Sequence, residues 1–370
     1  LISVGSNEAD RRVHAIFPNA LEIVPSPDGS YVAFVVGGDI FLSPLPLYLV
    51  GNDPPTIDKS GGSVPTKRIT KTGGLSPRWR NNNVLEFGSG ASYSTYDKEL
   101  DKLVTNKIQL QVPRAIPSGS IALVGARIIT LDNKKILNQG TVVIRQGRIS
   151  CIGNCETTDV DKVLNLSGST IIPGFVDLHA HHNRESAGRI PSRGPEYAIY
   201  LAYGVTTTRD PAASSINIWR AKELVETGMV IGPRIFGTGE TLTPGDAYLK
   251  ADIISADEAN YQAERLHSWG AESLKQYLQN RRANAQWIVD AGRNRNMVVT
   301  SEGGNFNLEH NIGLVMDGHA GFEHALVQFP IYSDVSKFLG QANFHYSPTV
   351  ICLLYTSPSP RDATLARLAG

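Results

Sequence analysis

The 370-residue sequence predicts an α/β protein: an incomplete TIM-like (β/α)8 barrel of about seven strands, preceded by a small β-sandwich unit and a β-propeller-like fragment. Three observations predict it. From Thr170 onward, apolar runs of strand length alternate with helical stretches, which implies a parallel sheet with right-handed crossovers. Between 118 and 170 the apolar runs follow one another across tight turns without helices. Before 112 they are shorter still and punctuated by Ser, Pro, Asp and Gly.

Composition sets the outer bounds. Hydrophobic residues make up 41% of the chain, enough for a sizeable core. Lys and Arg number 35, as do Asp and Glu, so zero net charge gives no reason to expect a nucleic-acid or membrane-surface partner. No apolar run approaches the roughly 18 residues of a membrane span. The chain begins at Leu1, and Leu1–Arg12 does not read as a signal peptide; one further upstream is left open. Cys151 and Cys155 have no second pair to complete a zinc site, and they read as two small residues on a strand and its turn.

The elements follow in order. In residues 1–112, Ser26-Pro27-Asp28-Gly29-Ser30 leads into the run Tyr31–Val36, and Gly37-Gly38 leads into Asp39–Leu42, a hairpin pattern. Ser76-Pro77 repeats the opening before Val84–Phe87, at a spacing close to one propeller blade. In 118–170, strands are expected around Gly125 and on both sides of a Gln146-Gly147 turn, as a small antiparallel unit. In 171–351, candidate strands cover 171–179, 204–210, 234–240, 272–277, 297–302, 319–324 and 344–350. Ser255-Ala256-Asp257-Glu258 is a capping box that opens one intervening helix. No Gly-rich dinucleotide fingerprint follows the early strands, which argues against an open doubly wound sheet.

The sharpest motif is Pro173-Gly174-Phe175-Val176-Asp177-Leu178-His179-Ala180-His181. Alternate strand residues share a face, so Asp177, His179 and His181 are expected to point together and His182 away. Two imidazoles can grip one metal ion, with Asp177 orienting them from behind.

This motif and the β unit before it resemble the amidohydrolase superfamily. The branch they resemble most is the prolidase and imidazolonepropionase-like one, some members of which are fused to TolB-like propellers. The resemblance covers about 118–351, and it extends to the first region if that is TolB-like. It implies a lysine on the fourth strand, carboxylated and bridging two metals; Lys275 stands there. It implies a histidine at the fifth strand's exit, where this sequence has Glu302, itself a competent oxygen ligand. Gly321-Phe322-Glu323-His324 resembles the family's Ile-Glu-His ending and makes His324 a ligand. By parity His319 is excluded, while His345 and Tyr277 read as packing residues.

The resemblance thus implies a metal-dependent hydrolase of C–N bonds in an amide, cyclic amide or dipeptide, using two divalent ions, zinc or else manganese or cobalt. His179 and His181 would hold one ion, Glu302 and His324 the other, with Lys275 bridging. The family's general base, an aspartate ending strand eight, is absent from this chain. The expected partner is a small-molecule or short-peptide substrate, with no nucleic acid, and homo-oligomerisation is left open. The propeller resemblance points to a periplasmic or secreted setting. Two alternatives remain: a one-metal deaminase- or phosphoesterase-like relative, and a non-catalytic binding protein on a propeller plus degenerate barrel. Cys352–Asp362 resembles the translation of a transposase sequencing adapter, so 352–370 is expected to be a non-native tail.

Overall fold

The computed structural model describes residues 2–3, 12–46, 53–182, 195–245, 250–303, 307–326 and 330–348. The segment 352–370, expected to be non-native, lies outside them.

The short strands β1 (Ile2–Ser3) and β2 (Arg12–Val13) pair antiparallel. Next come two four-stranded antiparallel meanders. The first comprises β3 (Glu22–Pro25), β4 (Tyr31–Val36), β5 (Asp39–Pro44) and β6 (Lys67–Arg68). The second comprises β7 (Leu75–Trp79), β8 (Val84–Ser89), β9 (Ser92–Asp97) and β10 (Lys102–Lys107). The unbroken apolar run of β4 is explained by burial on both faces. Ala33 and Val35 pack toward Trp79, Leu85 and Phe87 of the second sheet. Val32, Phe34 and Val36 pack toward Ala15, Phe17 and Ile57 on the other side. The two Ser-Pro pairs do different jobs. Ser26 lies in a turn where Asp28 Oδ1 accepts bonds from the Ser26 and Ser30 hydroxyls. Ser76 instead sits inside β7 at φ +54°, where the register with β8 slips.

The middle unit is β11 (Ser120–Ile129), β12 (Ile136–Arg145), β13 (Arg148–Gly153), β14 (Lys162–Asn165) and β15 (Thr170–Ile171). The turn at Gln146-Gly147 forms with positive φ at both residues, the geometry that matches hairpin twist. The expectation of a purely antiparallel unit is corrected: β14 and β15 both join β11 in parallel. Gly125, at φ +80°, makes a bulge within β11 instead of ending it. The cysteine expectation is corrected too. Cys151 and Cys155 form a disulfide with 6.0 Å between their Cα atoms. Gly153, at φ +114°, lies between them at the end of β13.

Seven parallel strands then follow in chain order, separated by helices. They are β16 (Phe175–Asp177), β17 (Val205–Asp210), β18 (Arg234–Gly237), β19 (Ser273–Gln276), β20 (Val298–Ser301), β21 (Gly321–Phe322) and β22 (His345–Tyr346). The helices are α1 (Pro195–Ala202), α2 (Ser215–Glu226), α3 (Ala256–Trp269), α4 (Arg282–Arg293), α5 (Leu308–Met316) and α6 (Ser333–Gln341). The strands form two sheets, β16–β17–β18 and β19–β20–β21–β22, joined by a parallel bridge between Leu242 and Gln276. Among the described residues there is no closed barrel. The expected strand 171–179 is divided: Ile171 pairs with β11, and the barrel proper begins at Phe175. Pro173 brings no N–H to the break. Gly174 passes so close to Thr206 that a Cβ would meet its hydroxyl at 2.1 Å.

Helix α3 ties the barrel to the first two sheets. Ser255 caps it by accepting the Glu258 N–H, and Gly270 closes it in the left-handed region. The reciprocal half of the capping box does not form, because Arg68 and Gln262 take the Glu258 carboxylate. Tyr261 donates its hydroxyl to buried Asp39, and Trp269 Nε1 donates to the Thr72 carbonyl at 2.8 Å. Among the described residues no helix is long and apolar enough to cross a membrane.

Leu274 is fully buried in the largest core cluster, with Leu266, Ile288 and Val299. Leu274→Ala is expected to lower the unfolding free energy by about 3 kcal/mol in urea titration. Replacing Cys151 and Cys155 together by Ser is expected to cost about 2 kcal/mol or less, because the ring that their disulfide closes is short. Denaturation of both proteins, with intact-mass confirmation of the oxidised bond, checks this.

Candidate metal centre

The structure brings the five predicted ligand residues together where β16, β19, β20 and β21 end. The strand β16 stops at Asp177, so His179 and His181 stand in the turn beyond it and not on the strand. Asp177 Oδ1 accepts the His179 backbone N–H at 3.0 Å, so Asp177 shapes this turn and does not orient an imidazole as expected. The ladder continues past the strands: Ala180 N–H donates to Arg209 O, Glu302 N–H to Gln276 O, and Glu323 N–H to Ser301 O. These bonds fix the backbone from which each functional side chain projects.

The side chains form a chain of contacts. The His179 ring lies 4.9 Å from that of His181 and 5.0 Å from that of His324. His324 Nε2 is 2.9 Å from Glu302 Oε1, and Lys275 Nζ is 2.8 Å from Glu302 Oε2. The Lys275 side chain is 1% exposed, whereas those of His181 and His324 are 35% and 32% exposed. An amine sits inside, and two imidazoles open outward.

Burial lowers the Lys275 pKa, against the opposing pull of the Glu323 and Glu302 carboxylates. For Glu302, burial raises the pKa, but the His324 bond and Lys275 overcome it and bring the group to about 2. The same contest at Glu323 ends well below the ordinary range: burial raises the pKa, and His179, Arg209 and Lys275 lower it further.

Behind the histidines stand residues that the sequence reading missed. His179 Nδ1 lies 3.1 Å from Glu323 Oε2, and His181 Nδ1 lies 3.1 Å from Asp210 Oδ1. Both carboxylates are buried, Glu323 completely. Arg209 NH1 donates to Glu323 Oε1 at 2.7 Å. The neighbouring motif Thr-Arg-Asp at a strand end was the available signal, but its partners lie far off in sequence.

Three imidazoles, a carboxylate and a buried amine make a donor set suited to borderline divalent ions. Among the described residues no three His, Cys, Asp or Glu groups already surround a common point closely enough to hold an ion. The donors instead contact one another, with Glu302 between Lys275 and His324. The set fits a metal in chemistry and proximity, and closing on an ion requires side-chain rotation.

The residues set aside behave otherwise. His182 is buried, donates its backbone N–H to Asp210, and bonds Thr208 Oγ1 through Nε2 at 2.6 Å. His345 packs on Gly321. Tyr277 is half-buried, its ring centroid 5.5 Å from Lys275 Nζ. His319 is buried, its Nδ1 on the Leu314 carbonyl and its Nε2 without a hydrogen-bond partner.

No protein-family model matches the chain. An adenine deaminase of Listeria monocytogenes serotype 4b (strain F2365) is 36% identical over 107 residues, 28% of this chain and 17% of that protein. The chain therefore spans under a fifth of the length of this curated relative. Among solved structures, a Xaa-Pro dipeptidase with bound methionine in the active site superposes with TM-score 0.51 at 18% identity, covering 62% of this chain and 67% of that one. A prolidase complexed with N-methylphosphonate-L-proline gives TM-score 0.50 at 21% identity, covering 62% and 66%. At such identity the likeness is one of fold, and the chain shares its mixed α/β architecture with these enzymes.

Burial lowers the His319 pKa from 6.5 to about 4. The unfolded chain therefore takes up this proton first as pH falls. Stability is full above pH 6.5 and is lost between there and about pH 4. The group should contribute roughly 3 kcal/mol of that loss. Urea titrations at a series of pH values should show the chelator-treated chain losing more unfolding free energy than His319→Gln by that amount between pH 6.5 and 4; equal losses would refute the assignment.

Proposed function

We propose that the chain carries the metal site of an amidohydrolase-type hydrolase, which attacks a C–N bond of a small molecule or short peptide with activated water. The observation that carries this reading is the gathering of His179, His181, Lys275, Glu302 and His324 at the exits of parallel strands, where barrels of this kind place their chemistry. The comparisons support it, since deamination of adenine and cleavage of a Xaa-Pro peptide both break a C–N bond.

His179 and His181 would hold one ion and Glu302 and His324 the other, with zinc, manganese or cobalt as candidates. Bound divalent ions would supply a water of lowered pKa and polarise the substrate carbonyl. Lys275 would join the two sites as a carbamate. Its neutral amine would add to carbon dioxide, forming the N–C bond and releasing one proton, and so supply carboxylate-type oxygen donors at the centre. Burial favours the neutral amine that this step requires. Tyr277 walls the amine on one side, while the more exposed His181 and His324 rings face the side open to substrate. The two N-terminal meanders fit the same proposal as blades of a TolB-like propeller fragment.

A one-metal deaminase is the second reading, favoured by the local similarity to adenine deaminase. Metal stoichiometry separates the two. The test loads the purified chain with zinc, manganese or cobalt, counts ions by mass spectrometry, and assays a dipeptide panel and ammonia release from adenine. The expected result is two ions per chain, falling to one or none in Lys275→Ala, with any turnover reduced at least about 100-fold. Chelation should strip the ions, and added metal should restore them. A chain that retains no metal would sink the hydrolase reading in favour of a binding protein.

A further inference from the structure

The two imidazoles of His179-Ala180-His181 are not held by the same device. Asp210, behind His181, is fixed by backbone N–H groups: it accepts bonds from His182, 28 residues before it in the chain, at 2.7 Å and from Ala212 at 3.0 Å. Glu323, behind His179, follows β21 in the other sheet, and its side chain is anchored by Arg209, with Thr300 beside it. The Arg209 guanidinium also donates to Thr300 Oγ1 at 2.9 Å, to Ser273 Oγ at 3.3 Å and to Leu178 O at 3.4 Å. One side chain from β17 therefore reaches β19, β20, the loop after β21 and the turn that carries His179. It is the contact by which the first barrel sheet grips the second behind the candidate metal centre.

We propose that Arg209 is a positioning residue: by anchoring Glu323 across the barrel, it holds the His179 imidazole with Nδ1 inward, so that Nε2 is the nitrogen presented for metal. A planar fork suits this task, because its separate N–H groups can meet a carboxylate and a hydroxyl at once. His179 Nδ1 and Glu323 Oε2 are 3.1 Å apart yet not angled as a hydrogen bond, and neither has another partner. A modest ring rotation would complete the bond, and Arg209 fixes the carboxylate toward which the ring turns. His181 needs no such help, because Asp210 is held by two backbone N–H groups, those of His182 and Ala212, with no side chain between. The inference predicts an asymmetry: loss of Arg209 should disturb His179 and spare His181. It rests on the hydrolase reading only for the ion, since the imidazole's tautomer can be read without metal.

The experiment uses the full chain labelled with 15N-histidine, first free of metal at mildly alkaline pH. Two-bond proton–nitrogen spectra should show His179 as the Nδ1–H tautomer in the parent. A mixture of tautomers is expected in Arg209→Met and in Glu323→Leu, with His181 unchanged in both. Cobalt and zinc titration against a chelator should then show one of the two ions weakened by about 10- to 100-fold and the other within about threefold of the parent. Melting curves establish that each variant is folded. Should Arg209→Met fail to fold, Arg209→Lys keeps the charge but cannot reach Thr300 and Glu323 together, and the same readings apply. An unchanged His179 tautomer in the folded variants overturns the inference, whatever the metal result. A parent that binds no metal but shows the tautomer asymmetry overturns the hydrolase reading and leaves the positioning role standing.

Discussion

Buried charge at the barrel mouth is the constraint around which the rest is arranged. Lys275 and Glu323 are both almost wholly enclosed, and an enclosed charge without a partner would cost several kcal/mol. Each is paired: Lys275 with Glu302, and Glu323 with Arg209 and His179. The pairs connect different strands: Lys275 on β19 with Glu302 after β20, and Glu323 after β21 with Arg209 on β17. A network of this kind adds little net stability over an apolar core of equal volume. What it provides is a fixed set of donors, in an enclosed place, at one end of a parallel sheet.

The backbone supplies that placement with ordinary means. Every strand pair in this half of the chain is parallel, so all the strand exits lie on one side. The break at Pro173-Gly174 releases the chain from the β unit and lets β16 begin against Thr206. The turn after Asp177 then places His179 and His181 beside each other, their rings 4.9 Å apart.

Much of this was legible in the sequence, and what was not has a physical reason. All seven strands fall within or overlap the ranges read from the sequence. His179 and His181 could be read from a local motif, whereas Lys275, Glu302 and His324 could be read only through the resemblance to the amidohydrolases. Glu323 and Asp210 could not be read as orienting groups, because the pairing depends on partners elsewhere in the fold. Arg209 lies 114 residues from Glu323, and His181 lies 29 from Asp210. The cysteine pair failed for the opposite reason. Its partners are close in sequence, but whether two cysteines four apart can bond depends on the turn between them, and here Gly153 supplies it. The capping box was half right, since a tertiary partner for Glu258 outcompeted the local one.

The N-terminal sheets bear on the site more directly than their distance along the chain suggests. Helix α3 presses its buried side against both meanders, through Tyr261 to Asp39 of the first and through Trp269 to Ser89 of the second, with Trp269 also bonding Thr72 between them. Arg265, fully buried, lies between these contacts, with its guanidinium 5.3 Å from the Trp269 ring and its Cδ against Gly73, where any Cβ would collide. The helix ends at Gly270, whose left-handed conformation turns the chain within one residue to buried Ala271 and so into β19. The strand that carries Lys275 is therefore the direct continuation of the helix clamped by the N-terminal sheets. On its other side the strand is held by Leu242, whose N–H donates to the Lys275 carbonyl at 2.8 Å.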